Sequence, residues 1–240
     1  MKFHKKIWMS FRKRLLLFLN KRYYIKHVQG LTYLLDMRNR VDRHIDAFSI
    51  YEQEQLDFLF SELKDIGCNC FIDIGSHWGH YSLSFAKQAC FKNAEVHAFE
   101  PDKINRYQLY ANLFLNRLQE RIHVYEYAIS SDEGELKFHH FADNNRGRSC
   151  IADDGEVVVQ TKRLDSVISL KNNTVGIKID VEGHELDVIS GMKETLKNNI
   201  CVVQIESFDE ILVELQKKMS DLGYSKIKTI DYDHYFSNKT

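Results

Sequence analysis

The sequence predicts an α/β protein built on a mostly parallel sheet, and two observations lead there. From Cys70 onward short apolar runs alternate with segments of helical period, the rhythm of strand, helix and strand in a crossover-connected sheet. Three of those runs meet an acid at their carboxyl ends, Asp73, Glu100 and Asp180, at the sheet edge where such folds bind ligands, near the switch in strand order.

In chain order, the first segment stands apart by charge. Residues 1–35 hold nine Lys or Arg and no Asp or Glu, leaving 24 basic against 34 acidic side chains for the other 205 residues. Trp8, Phe11, Leu15 and Phe18 recur at spacings of three and four among Lys5, Lys6, Arg12, Lys13 and Arg14. That pattern predicts a helix, and residues 1–45 read as a basic N-terminal helical extension. Its apolar stripe either packs on the body or, through residues 1–27, contacts an anionic membrane surface. A basic head with no zinc-finger spacing and no aromatic RNP-like strand argues against a nucleic-acid partner.

The body follows as strands at Phe71–Ile74, Val96–Phe99 and Ile122–Tyr127, with helices from about Tyr81 and over Ile104–Leu118 between them. Leu136–Phe141 and Val157–Thr161 read as a β-ribbon insertion around the turn-rich Asp143–Gly147 and the dipeptide Asp154-Gly155. Strands at Val175–Ile179 and Cys201–Ile205 flank a helix from His184 to about Leu196. A helix carrying Phe208, Leu212, Leu215 and Met219 follows, and Lys226–Ile230 with Tyr235–Ser237 close the chain as an antiparallel pair.

Composition sets outer limits. With 240 residues, 44% hydrophobic and 28% charged, the chain builds one sizeable core and is not a disordered, collagenous or disulfide-scaffold sequence. No apolar run approaches the ~18 residues of a membrane span, and Leu15–Leu19 is short for a secretory signal, so a cytoplasmic protein is expected. Five cysteines without a CxxC pair give neither a disulfide framework nor a four-ligand zinc site.

The segment Phe71-Ile-Asp-Ile-Gly-Ser-His-Trp-Gly-His-Tyr-Ser82 has the form D-x-G-x-x-x-G between strand and helix. A dinucleotide fingerprint wants glycine at 77, and His77 stands there, which impedes the approach of a pyrophosphate. The loop suits S-adenosylmethionine instead, with its amino-acid end over the glycine turn and Asp73 placed to meet the ammonium directly or through water. Glu100, 27 residues beyond Asp73, is suited to accept both ribose hydroxyls. Pro101, the single proline, stops the strand and fixes the backbone just past that carboxylate. Against this reading, Asp73 alone would serve equally as a helix cap.

Ile177-Lys-Ile-Asp-Val-Glu-Gly-His-Glu185 is the second dense site. Strand alternation puts Lys178, Asp180 and Glu182 on one side, Glu206 ends the neighbouring strand, and His184 opens a helix. Such charges either pair with one another or contact a ligand. Asp180, Glu182, Glu206 and Asp209 are also a possible oxygen-ligand set for a divalent cation, but pairing with Lys178 explains them as well, and no metal is predicted.

These residues resemble the FkbM-type S-adenosylmethionine-dependent methyltransferases. The resemblance rests on Ile72–Leu83, on Ala98-Phe-Glu-Pro101 with Asn112 and Asn116, on Ala128-Ile-Ser130 with Gly134, on Leu164-Asp165, and above all on Lys178–Glu185 with Gly191. It covers about Tyr51–Glu206. It implies a Rossmann-like class I methyltransferase fold, a seven-stranded mostly parallel sheet with helices on both faces and the last strand antiparallel. Residues 46–240 then form the methyltransferase domain. It further implies methyl transfer to hydroxyls of sugars, glycolipids or other small molecules.

By position the resemblance gives Asp73, Gly75, Gly79 and Glu100 to the cofactor, with Ala128 near the adenine; Ser76, His77, which stands where the family often has a smaller polar residue, and Pro101 are further cofactor-binding candidates beside them. Asp180 faces the reacting centre as candidate base, His184 and Glu206 are alternates, and Lys178 orients Asp180 or the acceptor oxygen. Glu182 and, from the insertion, Arg146 and Arg148 are candidate contacts to a small-molecule or glycan acceptor. The rival readings are a nicotinamide-dependent oxidoreductase on the same sheet and a catalytically inactive membrane-associated binding module.

Overall fold

The structure, a computed structural model, describes residues 3–19, 21–49, 51–141 and 146–239. The chain opens with helix α1 (Phe3–Phe18), a hairpin of β1 (Tyr23–Val28) and β2 (Leu31–Asp36), then α2 (Arg40–Phe48) and α3 (Gln53–Asp65). The sheet begins with β3 (Cys70–Ile74), α4 (His80–Lys87), β4 (Glu95–Phe99), α5 (Lys103–Asn116) and β5 (Ile122–Tyr125). An insertion follows, made of β6 (Ala128–Ile129), β7 (Gly134–His139), β8 (Cys150–Ile151) and β9 (Val157–Lys162). After α6 (Leu164–Val167) come β10 (Thr174–Ile179), α7 (Glu185–Gly191), α8 (Lys193–Asn198), β11 (Ile200–Glu206) and α9 (Asp209–Asp221). The chain closes with β12 (Ser225–Ile230) and β13 (Asp233–Ser237).

The main sheet has seven strands in the order β12-β13-β11-β10-β3-β4-β5. β10, β11, β3, β4 and β5 run parallel, and β13 lies antiparallel to both β11 and β12. Strand order reverses between β3 and β10, which opens a crevice at their carboxyl ends. Alternation along the strands splits the core in two. Phe71, Val96 and Ala98 face Leu59, Leu63, Phe85, Leu109 and Leu113 of α3, α4 and α5. Ile72, Ile177 and Val203 face Val188, Leu196, Leu215 and Met219 of α7, α8 and α9. Helices therefore cover both faces, as the resemblance implied, with strands buried on both sides and correspondingly apolar.

Three expectations are corrected. Residues 1–45 are not simply helical, because β1 and β2 pair in register from Tyr23↔Asp36 to Val28↔Leu31 around Gln29 and Gly30. Both turn residues have positive φ, 49° and 77°, the primed-turn conformation that matches the twist of paired strands. The insertion is a four-stranded sheet, β6-β9-β7-β8, larger than a ribbon. Of the turn-rich stretch expected within it, 142–145 lie outside the described residues. The helix expected from His184 to Leu196 breaks at Met192 (φ −125°), just after Gly191 passes over Ser130 so closely that a Cβ there would lie 2.0 Å from its carbonyl oxygen.

The N-terminal elements are knit to the body. Leu31, Tyr33, Leu35, Met37 and Ile45 join the core beneath α3, α4 and α5. On the polar side the Asn112 Oδ1 atom accepts from the Leu34 N–H at 2.7 Å while its Nδ2 donates to the Trp78 carbonyl at 3.0 Å. Asn116 clasps both backbone groups of Thr32. Replacing the fully buried Leu35 by Ala is therefore expected to destabilise the whole chain by about 2–5 kcal/mol, seen as an earlier single urea transition. Biphasic unfolding with the major transition unmoved would mean that the hairpin is a separate unit.

Candidate active site

A cavity of about 830 Å³ occupies the crevice at the carboxyl ends of β3, β4, β10 and β11. Its floor is the turn after β3. Gly75 has φ +81°, and a Cβ on it would lie 1.7 Å from the Asp180 carbonyl oxygen, so only glycine lets the two strand ends meet. His77, where a dinucleotide loop has its middle glycine, still takes a positive φ of 51°. Its N–H donates to Glu100 Oε2 at 2.7 Å, and the Asp102 N–H donates to Glu100 Oε1 at 2.8 Å. Each oxygen of Glu100 thus holds one backbone donor and keeps acceptor capacity for another. Burial pushes the Glu100 carboxyl up to about 7.

Asp73 is placed by its helix. Oδ2 accepts from the Ser82 N–H at 3.0 Å and its hydroxyl at 2.6 Å, tying β3 to α4, and burial pushes its carboxyl up to about 6. Asp73, Gly75, Ser76, His77, Glu100, Pro101 and Ala128 all line the cavity. Gly79 does not. It opens α4 at φ +91°, where a Cβ would strike Leu109 Cδ1 at 2.4 Å, so its part is packing.

The neighbouring end of β10 is built around Lys178, buried at 2% exposure and paired in register with Asp73. Its Nζ donates to Asp233 Oδ1 at 2.9 Å, lies 3.7 Å from Glu206 and 3.9 Å from Asp180, and sits over the Tyr81 ring. Gln204 bridges Asp233 and the Tyr81 hydroxyl at 2.6 and 2.9 Å. Burial alone would lower the lysine, but Asp233, Asp180, Glu206 and Glu52 outweigh it and hold the ammonium well above its ordinary range. Burial, reinforced by Glu206, Glu52 and Glu182 against the pull of Lys178, raises the Asp180 carboxyl well above the usual carboxylate range. Asp180, Glu206, Glu182 and His184 line the cavity with Lys178. The His184 ring is held between Ser130 Oγ at 2.9 Å and Asp187 at 3.4 Å, with burial lowering its pKa.

Several expected placements change. β10 ends at Ile179, so alternation does not carry to Glu182, which turns at φ +53°. Arg146 lines the cavity but is buried, donating to Gln108 Oε1 at 2.6 Å and lying 3.6 and 4.0 Å from Asp36 and Asp42. Part of its charge is met by the N-terminal segment, while its Nε is buried without a hydrogen-bond partner among the described residues. The side chain of Arg148 lies outside the described residues. Among the described residues no group of three His, Cys, Asp or Glu side chains is placed to hold a metal ion.

The sequence reading missed Tyr51 and Glu52 ahead of α3, Asp233 and Gln204 behind Lys178, and Arg40 and His44 on α2. Glu52 carried no capping signal, because glutamate is not among the residues favoured at an N-cap. It sits at φ +48° with burial raising its carboxyl. Asp233 carried none, because antiparallel pairing Glu206↔Asp233 brings it in from the far end of the chain.

The walls fit S-adenosylmethionine. Beside the glycine turn, Ser76 Oγ, His77 Nε2 and Asn105 Oδ1 are buried without a hydrogen-bond partner among the described residues, a set that asks for a polar ligand. The sequence matches the methyltransferase FkbM domain over residues 73–226. The chain belongs to this family. It is an S-adenosylmethionine-dependent methyltransferase. A curated relative, the hexuronic acid methyltransferase AglP of Haloferax volcanii, is 27% identical over 191 residues, covering 78% of this chain and 70% of the relative. The crystal structure of methyltransferase FkbM from Methylobacillus flagellatus superposes with a TM-score of 0.51 at 17% identity, over 71% of this chain and 43% of that one. Human methyltransferase 10 domain containing protein reaches 0.53 at 12% identity, over 99% and 97%. Both likenesses concern the fold, and the chain spans less than half of the Methylobacillus protein.

Removing the ammonium leaves several carboxylates facing one another. Lys178→Met is expected to cost about 3–5 kcal/mol in urea unfolding, with a larger loss at pH 8 than at pH 5, where protonation relieves the repulsion. An unchanged midpoint at both values would contradict the electrostatic role.

Proposed function

We propose that this methyltransferase modifies a hydroxyl of an acidic sugar, free or within a glycan or glycolipid, with Asp180 as the general base. The observation that carries the proposal is the placement of Asp180 in the cavity, beside the glycine turn and 3.9 Å from the buried Lys178 ammonium, where burial also raises its proton affinity. Bound along the glycine turn, S-adenosylmethionine would supply a methyl group on a sulfonium, transferred by in-line displacement that depends chiefly on alignment. Donor contacts fall to the Gly75–His77 turn, to Glu100 for the ribose hydroxyls, to Asp73 for the ammonium and to Ala128 beside the adenine.

An attacking hydroxyl must shed its proton as the new bond forms. A carboxylate of raised proton affinity, when ionised, takes that proton more readily than an ordinary one. Lys178 fixes Asp180 by charge and lies close enough to accommodate its changing ionisation. Glu206 shares the ammonium and is the alternate base. His184, tied to Ser130 and Asp187, is a rim residue that steers the acceptor. Glu182, on the turn after β10, is a further acceptor contact.

The acidic sugar rests on two supports. The relative from Haloferax volcanii is described as acting on hexuronic acid. Of the cationic side chains lining the cavity, Lys178 and Arg146 are buried among carboxylates, whereas Arg40 on α2 is exposed and is the one to meet an acceptor carboxylate. Tyr51, Trp78 and Phe208 give the same cavity apolar faces on which a sugar ring can lie. The oxidoreductase alternative is set aside by the family to which the chain belongs.

Asp180→Asn is expected to lower methyl transfer to glucuronides by roughly 10²–10⁴-fold while leaving the Kd for S-adenosylmethionine within about threefold, measured by radiolabelled methyl incorporation and calorimetry. Full turnover in the variant would dismiss Asp180 as the base.

A further inference from the structure

The apolar stripe of α1 does not pack on the body. Leu16, on one side of the helix, reaches the core, and Arg12 pairs with Asp46 of α2. Trp8, Phe11, Leu15 and Phe18, on the other side, are 50%, 58%, 45% and 86% exposed. Of the 18 large hydrophobic side chains exposed among the described residues, seven fall within 8–25. Aromatic side chains standing together in water are costly, and a cluster of this kind marks a binding surface.

The surroundings of that face select its partner. Residues 1–35 contain nine cations and no acid. Three of the nine, Arg12, Arg22 and Lys26, are held by Asp36 and Asp46. Lys13 is pressed by like charge, since burial and then Arg43, Arg38 and Arg14 push its ammonium below the ordinary value. A second apolar protein surface would not relieve this crowding, whereas a layer of anionic headgroups above an apolar interior relieves both features at once. Among the described residues no helix is long and apolar enough to cross a membrane, so the helix would lie in the interface plane.

We propose that α1 is a docking helix for anionic lipid, inserting Trp8, Phe11, Leu15 and Phe18 between headgroups that neutralise Lys13, Arg14 and Lys21. The position of α1 gives this docking a consequence for the active site. α1 packs on α2, and α2 supplies Arg40, Val41 and His44 to the wall of the cavity. A membrane held by α1 therefore lies one helix away from the acceptor side, as suits a lipid-carried glycan. Docking itself stands without the proposed acceptor.

The test is co-sedimentation of the full chain with phosphatidylcholine vesicles containing roughly one third phosphatidylglycerol, beside vesicles of phosphatidylcholine alone. Binding to the anionic vesicles is expected, weakened at least tenfold, on the order set by several lost charge contacts, on neutral vesicles or in 0.5 M salt (about the range where screening dominates). Phe11→Glu with Leu15→Glu should abolish it, and Lys13→Gln with Arg14→Gln should weaken it. Both variants should keep the thermal stabilisation by S-adenosylmethionine, which shows that they fold. Absence of binding by the parent chain, equal binding to both vesicle types or binding unmoved by the Phe11/Leu15 variant would each overturn the proposal. So would a concentration-dependent dimer, lost in that variant, with no lipid bound.

Discussion

The site depends on one close approach, that of Gly75 to the Asp180 carbonyl oxygen, where there is no room for a Cβ. β3 and β10 are neighbours in the sheet on either side of the reversal in strand order, and each could end in any loop that clears the other. Glycine at 75 lets the turn after β3 fold flat across the end of β10. The glycine turn and the charged strand end thereby line one cavity. The Asp180 N–H donates to the Ile74 carbonyl at 2.9 Å, which secures the contact from the β10 side. Downstream, the positive φ of His77 aims its N–H at Glu100, bringing β4 into the same floor.

Polar burial on this scale opposes folding unless every charge is answered. Two clusters of buried charge border the cavity. Lys178 draws Asp180, Glu206 and Asp233 together from three strands. Arg146 binds the insertion to Asp36 of the hairpin and Asp42 of α2. Asp42 in turn accepts from the Asp36 N–H at 2.6 Å and from Gln108 of α5 at 2.7 Å. The first cluster places Asp180 on the cavity and raises its proton affinity, the arrangement on which its proposed role as base rests. The second ties the cavity wall formed by the insertion to the N-terminal elements through Arg146.

What was legible in the sequence follows from what is local. Parallel strands buried on both faces read as continuous apolar runs, so Phe71–Ile74, Val96–Phe99 and Val175–Ile179 were placed to within a residue or so. Strand-end acids and the glycine turn are likewise features of contiguous sequence. The hairpin of residues 23–36 was hidden because its neighbours carry a strong helical period and the Gln29-Gly30 turn is a weak marker beside Asn-Gly. The break at Met192 depends on Gly191 meeting Ser130, a contact about 60 residues apart in sequence. The partnership of Lys178 with Asp233 depends on antiparallel pairing at the sheet edge. Charge pattern suggested two fates for the stripe of α1. Choosing between them required knowing which side of the helix Leu16 faces.

The central claim is that the turn from Gly75 to His77 and the carboxylate of Glu100 form the donor site. Calorimetric titration of S-adenosylmethionine into the parent chain and into Glu100→Gln, at pH 6 and pH 8, tests it most directly. Burial holds the Glu100 carboxyl near 7, and only its ionised form accepts two ribose hydroxyls in full strength. Affinity in the parent should therefore rise with pH across that interval, while the variant binds roughly tenfold more weakly and loses most of the pH dependence. Equal affinity in the two proteins at both values, or no binding by the parent chain, would contradict the account.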